Sequence, residues 1–245
     1  MSEFLGREDV VDSLAGQVLA GQTVLVYGPL GVGKTAILDE IARVVGAAGR
    51  RLGRAVHTQT IRDVTRALQA VYPEAGLRAR NQRQLRGYLS LAVEEDPGVL
   101  ILDHLQCAGT ALKGFLRSLE GTGLGVLIAA DVEHQRDNAR IRAMRLAHRE
   151  RQVPPLQALH MDRILEARVL HRRLPYPLTE ADRSSLLRIA AGRPGVVGMV
   201  VGLLESDRYW RDGRLLSEIL RSDVSMAIAE AYVGEVNARA RHLEK

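Results

Sequence analysis

Cysteine, lysine and aromatic residues are scarce in these 245 residues, and each scarcity excludes something. A single cysteine, Cys107, cannot form an internal disulfide, and no His/Cys cluster has the spacing of a structural zinc site. Two phenylalanines, one tryptophan and six tyrosines leave few rings for stacking on nucleic-acid bases. The longest apolar runs, such as 99–102 and 195–204, fall short of the ~18 residues a membrane helix needs. Residues 1–9 carry no basic-then-apolar leader, so the expectation is a cytoplasmic protein with no membrane partner. Only Lys34, Lys113 and Lys245 among the 34 basic residues are lysine, which leaves 31 arginines in a chain of formal charge +5. Arginine binds phosphate oxygens through a two-pronged fork, yet so small a net charge does not require a nucleic-acid partner.

What is present is a phosphate cradle. The apolar run Thr23-Val24-Leu25-Val26-Tyr27 ends in Gly28-Pro29-Leu30-Gly31-Val32-Gly33-Lys34-Thr35, a full GxxxxGK[ST] pattern of buried strand, glycine-rich turn and helix. The glycines let backbone N–H groups approach phosphate oxygens, and the helix adds its positive end. Lys34 is expected at the β and γ phosphates and the Thr35 hydroxyl on Mg²⁺, which makes ATP and Mg²⁺ the expected cofactors. Ile37, Leu38, Ile41, Val44 and Val45 then recur at helical spacing.

A second run, Val99-Leu100-Ile101-Leu102-Asp103, follows the turn-like Asp96-Pro97-Gly98. It reads as a buried parallel strand that presents Asp103 at its carboxyl end, as the second Mg²⁺ ligand. Residues 54–60 and 125–131 read as further strands. Helices are expected around Ile61–Val71, Leu85–Val93 and Leu112–Leu119, with an Arg-rich helix over 134–149. Strands alternating with helices give an α/β fold, a P-loop NTPase with a parallel β-sheet sandwiched by helices. Beyond Val153-Pro154-Pro155-Leu156 the pattern turns purely helical. The expected division is therefore a P-loop ATPase core over 1–155 and a small all-α lid over 156–245. A capping box at Thr179–Asp182 opens one lid helix, Gly192-Arg193-Pro194-Gly195 ends it, and helices follow over 196–204 and about 215–233. Cys107 reads as a small buried hydrophobe, and Tyr209 and Trp210 as lid packing.

Together these residues resemble a AAA+ ATPase of the branch shared by origin-recognition-type ATPases, ExeA/MuB-like ATPases and STAND signalling proteins. Phe4-Leu5-Gly6-Arg7-Glu8 is similar to that branch's adenine-side box, which implies nucleotide contacts at Gly6 and Arg7. Residues 153–156 resemble the strand entering the lid, and Gly192-Arg193-Pro194 the lid's G-x-P element, which implies nucleotide contacts at Arg193 and Pro194. The resemblance implies an ATP-dependent homo-oligomer in which a neighbouring subunit offers an arginine to the γ-phosphate. Arg145, Arg149 and Arg151 are the candidates, the last two foremost. Asp131 occupies a sensor 1-like position. Two departures stand out. His104 replaces the glutamate that would polarise water, which implies slow hydrolysis unless a neutral, oriented imidazole does the same. Gly195 stands where relatives carry a lid arginine, and Arg193 is the candidate substitute.

Charge is uneven. Between Arg43 and Arg86 ten arginines face only Asp63 and Glu74, a local +8 that suggests DNA bound through the phosphate backbone. With the chain running out near the lid, DNA contact is expected from the ATPase core. That resembles MuB-like regulators of transposition, with a transposase as the implied protein partner. The alternative is a STAND-like nucleotide switch that signals to a protein without binding DNA.

Overall fold

The computed structural model describes residues 6–56, 58, 60–105, 109–131 and 149–243, with backbone alone beyond residue 231. Phe4, Leu5, Cys107 and Arg145 lie outside these residues. The chain divides into two compact units, one of residues 1–29 and 34–153, the other of residues 30–33 and 154–245.

The first unit is built on five parallel strands: β1 (Thr23–Gly28), β2 (Leu52–Ala55), β3 (Val99–Leu102), β4 (Gly125–Asp131) and β5 (Arg149–Gln152), in the order β2-β3-β4-β1-β5. Helix α1 (Glu8–Leu19) precedes β1, and α2 (Lys34–Ala47), α3 (Ile61–Val71), α4 (Pro73–Arg78), α5 (Gln82–Glu95) and α6 (Thr110–Ser118) lie between the strands in sequence. Period-two alternation explains the layering. Leu25, Leu100, Leu102, Val126, Ile128 and Ala130 share a core with Val64, Leu68, Leu89, Val93 and Phe115 of α3, α5 and α6. The opposite parity, Val24, Val26, Ile101, Leu127 and Ala129, is equally buried, and α2 packs along β1, β3 and β4. A sheet covered on both faces reads as near-continuous apolar strands, and all seven residues of β4 are buried.

Several expectations need correction. The strand expected over 54–60 is β2, which ends at Ala55. The chain leaves the sheet there because Thr60 and Asp63 close a capping box that starts α3. Arg149 belongs to β5 and not to a helix, while residues 134–148 lie outside the described residues. The strand expected at 153–156 is also β5, four residues earlier, although the Val153 N–H still donates to the Tyr27 carbonyl at 2.9 Å. Helices α1 and α4 were not expected.

The second unit carries α7 (Ala158–Val169), α8 (Glu180–Ala190), α9 (Pro194–Leu203) and α10 (Ser217–Leu243). It is not purely helical: a two-stranded antiparallel ribbon, β6 (Trp210–Arg211) with β7 (Arg214–Leu215), sits between α9 and α10. The Thr179–Asp182 capping box forms as expected. Ala191, at φ 49°, and Gly192, at φ 71°, turn the chain before Pro194 opens α9. The last helices therefore run over 194–203 and 217–243. Leu165, Leu186, Val197, Val201, Leu220 and Val224 form the core with Tyr209 and Trp210. The Trp210 Nε1–H donates to the Leu204 carbonyl at 3.0 Å, and the Tyr209 hydroxyl to Asp223 at 2.8 Å.

Trp210→Ala should destabilise the second unit by about 3–5 kcal/mol through the cavity it leaves, read as an early melting transition; an unchanged melt would show that this indole is not a core element.

Candidate functional site

In a parallel sheet all carboxyl ends point one way, and ligands gather there. Here β1 delivers Gly28, β3 delivers Asp103 and β4 delivers Asp131 to the same edge, with Gly28 and Asp131 directly paired in register. Gly31 and Gly33 have φ of 76° and 101°, left-handed values that favour glycine. Lys34 opens α2 and is only 5% exposed. Its ammonium donates to the carbonyls of Gly28 at 2.8 Å and Pro29 at 3.0 Å, and forms an ion pair with Asp131. One residue on, the Thr35 hydroxyl donates to Asp103 Oδ2 at 3.1 Å.

His104 has φ 53°, an uncommon conformation for a side chain with a Cβ. Its backbone N–H donates to Asp103 Oδ1 at 2.9 Å, and its Nδ1 lies 3.1 Å from Asp131 Oδ2. Burial alone would raise the Asp131 pKa. The His104 hydrogen bond and the Lys34 ammonium outweigh burial and pull it down to about 2. An ionised carboxylate only accepts hydrogen bonds, so His104 carries its proton on Nδ1. Lys34, Asp131 and His104 form one chain, with one carboxylate oxygen on each partner.

Thr35 and Asp103 are two hard oxygen donors close together. That suits Mg²⁺, which takes one or two protein oxygens and completes its shell from phosphate and water. Among the described residues no cluster of three or more His, Cys, Asp or Glu side chains offers another metal site.

The remaining candidates lie elsewhere in their units. Gly6 has φ 78°, and Arg7 is buried at the start of α1, where desolvation lowers its pKa to about 10. Arg149 and Arg151 are exposed on one face of the edge strand β5, opposite Val24 and Val26 in register. They lie within that strand and not ahead of it. In the second unit, Val32 is fully buried, Leu30 and Gly31 partly so, and Arg193 and Pro194 start α9. The Gly195 N–H donates to the Gly31 carbonyl at 2.8 Å, and a Cβ on Gly195 would sit 2.8 Å from the Gly31 Cα. Close backbone approach thus accounts for glycine where an arginine was expected.

Two features escaped sequence reasoning. Arg54, counted in the basic segment, binds Asp39 at 2.6 Å and reaches to 4.0 Å from Asp103; pairing of β2 with β3 is what brings it there. The Lys34–Asp131 pair joins residues 97 positions apart, and only strand order reveals it.

Residues 3–128, just over half the chain, match the AAA ATPase domain family. The chain belongs to that family. An 82-residue stretch is 33% identical to the beta-(1→2)glucan export ATP-binding/permease protein NdvA of Mesorhizobium japonicum, covering 32% of this chain and 14% of that protein. The AAA fold also aligns with the Walker-type ATPase of Pyrococcus abyssi at TM-score 0.60 and 14% identity, over 98% of this chain and 77% of that one. The Aeropyrum pernix ORC1 protein in complex with DNA aligns at TM-score 0.52 and 16% identity, over 96% and 69%. No helix among the described residues is long and apolar enough to cross a membrane.

A carboxylate whose folded pKa is depressed contributes stability above its unfolded pKa and loses it as pH falls through the folded value. The stability gap between the protein and Asp131→Asn should be about 2 kcal/mol at pH 7. It should close as pH drops from about 4 to about 2, followed by urea unfolding; a gap independent of pH would contradict the charged pair.

Proposed function

We propose that this AAA protein is an ATP-binding assembly factor that acts on DNA and hydrolyses ATP slowly. The observation that supports the nucleotide half is the meeting of Lys34, Thr35 and Asp103 at the carboxyl edge of the sheet. Backbone N–H groups of the loop after Pro29 would cradle the phosphates, Lys34 would neutralise the β and γ oxygens, and Thr35 and Asp103 would hold Mg²⁺. Bound Mg²⁺ supplies charge that offsets the build-up on the phosphate oxygens. By family resemblance, Gly6 and Arg7 in the first unit and Arg193 and Pro194 in the second are further candidates for nucleotide contact. Exposed on an edge strand, Arg149 and Arg151 are available to the γ-phosphate of a neighbouring copy in an ATP-dependent homo-oligomer. His104 takes the place of the activating glutamate; its Nδ1 lies on Asp131, and its Nε2, 3.9 Å from Asp103 Oδ1, is the nitrogen proposed to orient water.

The DNA half rests on the sorting of arginines. Among the ten between 43 and 86, Arg43 binds Glu40, Arg51 binds Asp96 and Glu74, and Arg54 binds Asp39. Three of those carboxylates lie outside the segment, so the surface is less basic than its sequence. Arg50 donates to the Pro97 carbonyl at 3.3 Å, and six more likewise have no carboxylate partner among the described residues: Arg62 and Arg66 on α3, Arg78 on α4, Arg80 just after it, and Arg83 and Arg86 on α5. Five are exposed and Arg86 is half-buried. These helices adjoin one another on one side of the unit, a fit for sequence-independent phosphate contacts. The solved ORC1 relative holds DNA. A transposase is the protein partner that a MuB-like role would recruit.

His104 also favours a second reading, a STAND-like switch that persists in its ATP state and signals to a protein. Sedimentation with ATP, ADP or no nucleotide, with and without duplex DNA at two salt concentrations, separates the two. ATP-dependent assembly on DNA that disperses at higher salt is the expected result, with the slope of log affinity on log salt falling by about one for each of Arg78, Arg80 and Arg83 replaced by Ala. ATP binding without DNA binding at low salt would contradict it and leave the switch.

A further inference from the structure

The Lys34 ammonium is the group every phosphate-loop protein needs at the nucleotide, yet here it is engaged on all sides by its own chain. Three oxygens surround it: the Gly28 and Pro29 carbonyls and a carboxylate oxygen of Asp131. Both members of the ion pair are buried, at 5% and 3% exposure. The carbonyls are neutral and belong to the loop itself. The Asp131 carboxylate is different, being an anion that occupies the ammonium a phosphate would require.

We propose that Asp131 is a built-in competitor of nucleotide phosphate: it holds Lys34 until a diphosphate or triphosphate takes the ammonium over, and the exchange releases Asp131 from Lys34 while its second oxygen stays on His104. This rests on the nucleotide reading above and adds a positioning residue to it. A buried cation cannot be left unpaired without a cost of several kcal/mol, so Lys34 changes partners without passing through an unpartnered state. Two anions cannot both keep the same ammonium at full strength. Bound phosphate therefore weakens the Lys34–Asp131 contact, and the second oxygen of Asp131, already 3.1 Å from His104 Nδ1, becomes the carboxylate's principal tie. Nucleotide occupancy is thereby transmitted to the imidazole that stands in the water-activating position, through one side chain and over two contacts. The same competition sets a weak resting affinity for the phosphate chain, while adenosine, which has no phosphate to offer Lys34, is indifferent to it.

The test is equilibrium binding of ADP, a non-hydrolysable ATP analogue and adenosine to the full chain and to Asp131→Asn. That substitution preserves side-chain shape and a hydrogen-bond acceptor for His104 while removing the charge. ADP and the ATP analogue should bind at least ~10-fold more tightly to the variant, with adenosine unchanged, because removing a competing buried anion acts on the phosphate interaction alone. Unchanged affinity for ADP would overturn the competition, and a uniform shift for all three ligands would reduce Asp131 to a structural role. Failure of both proteins to bind ADP would instead overturn the nucleotide reading itself. Should Asp131→Asn not fold, the unmodified protein still answers through ring-¹⁵N histidine NMR, with His104 assigned by His104→Gln. Saturating pyrophosphate should shift the His104 Nδ1 resonance and adenosine should not; a resonance indifferent to pyrophosphate contradicts the proposal.

Discussion

The buried pair of Lys34 and Asp131 is the constraint around which the first unit is arranged. Moving an ammonium and a carboxylate out of water costs several kcal/mol each. The protein offsets that cost with a direct ion pair, two loop carbonyls on the lysine and an imidazole on the aspartate. None of this forms unless β4 lies beside β1 with Asp131 opposite Gly28. A slip of one residue would turn the carboxylate to the other face of the sheet. The fully buried apolar residues of β4 hold that register, so the packing of the sheet and the electrostatics of its edge specify the same arrangement.

Beside the pair, the chain takes an unfavourable step. A left-handed backbone at a residue with a Cβ costs about 1–2 kcal/mol, and His104 adopts one immediately after Asp103. Its N–H then meets Asp103, its ring meets Asp131, and the next residue returns to the sheet with the Leu105 N–H on the Ala129 carbonyl at 2.9 Å. The strain is what brings the ring back over the carboxyl end of β4. A glutamate at 104 would set a second carboxylate against Asp131, whereas the histidine offers that carboxylate a hydrogen bond.

Much of this was legible in the sequence where one residue type implies one environment. Continuous apolar runs identified β1, β3 and β4, and the loop glycines marked a close backbone turn, in which Gly31 and Gly33 take positive φ. Strand β5 was hidden because Arg149-Glu150-Arg151-Gln152 is an exposed edge with no apolar alternation to read. The β6–β7 ribbon was hidden because two residues per strand make no pattern. Strand β2 was misplaced because β-branched residues at 56–60 mimic a strand that capping at Thr60 cuts short. At the site, Lys34, Thr35 and Asp103 followed from motif spacing, whereas their link to Asp131 and the approach of Arg54 depend on strand order. The charge of the 43–86 segment was overstated because Glu40 sits one helical turn before Arg43, just outside the count, and Asp39 and Asp96 reach the segment through the fold.

All of this presupposes that the edge formed by Gly28, Lys34, Thr35 and Asp103 takes a Mg²⁺-nucleotide. The direct measurement is the melting temperature of the full chain with and without millimolar Mg·ATP, against Mg²⁺ alone and ATP with a chelator. A ligand at 100 times its Kd adds about 2.7 kcal/mol to the folded state. The expected result is a rise of roughly 5–10 °C that needs both Mg²⁺ and the nucleotide for its full extent. A melting temperature unmoved by Mg·ATP would contradict it.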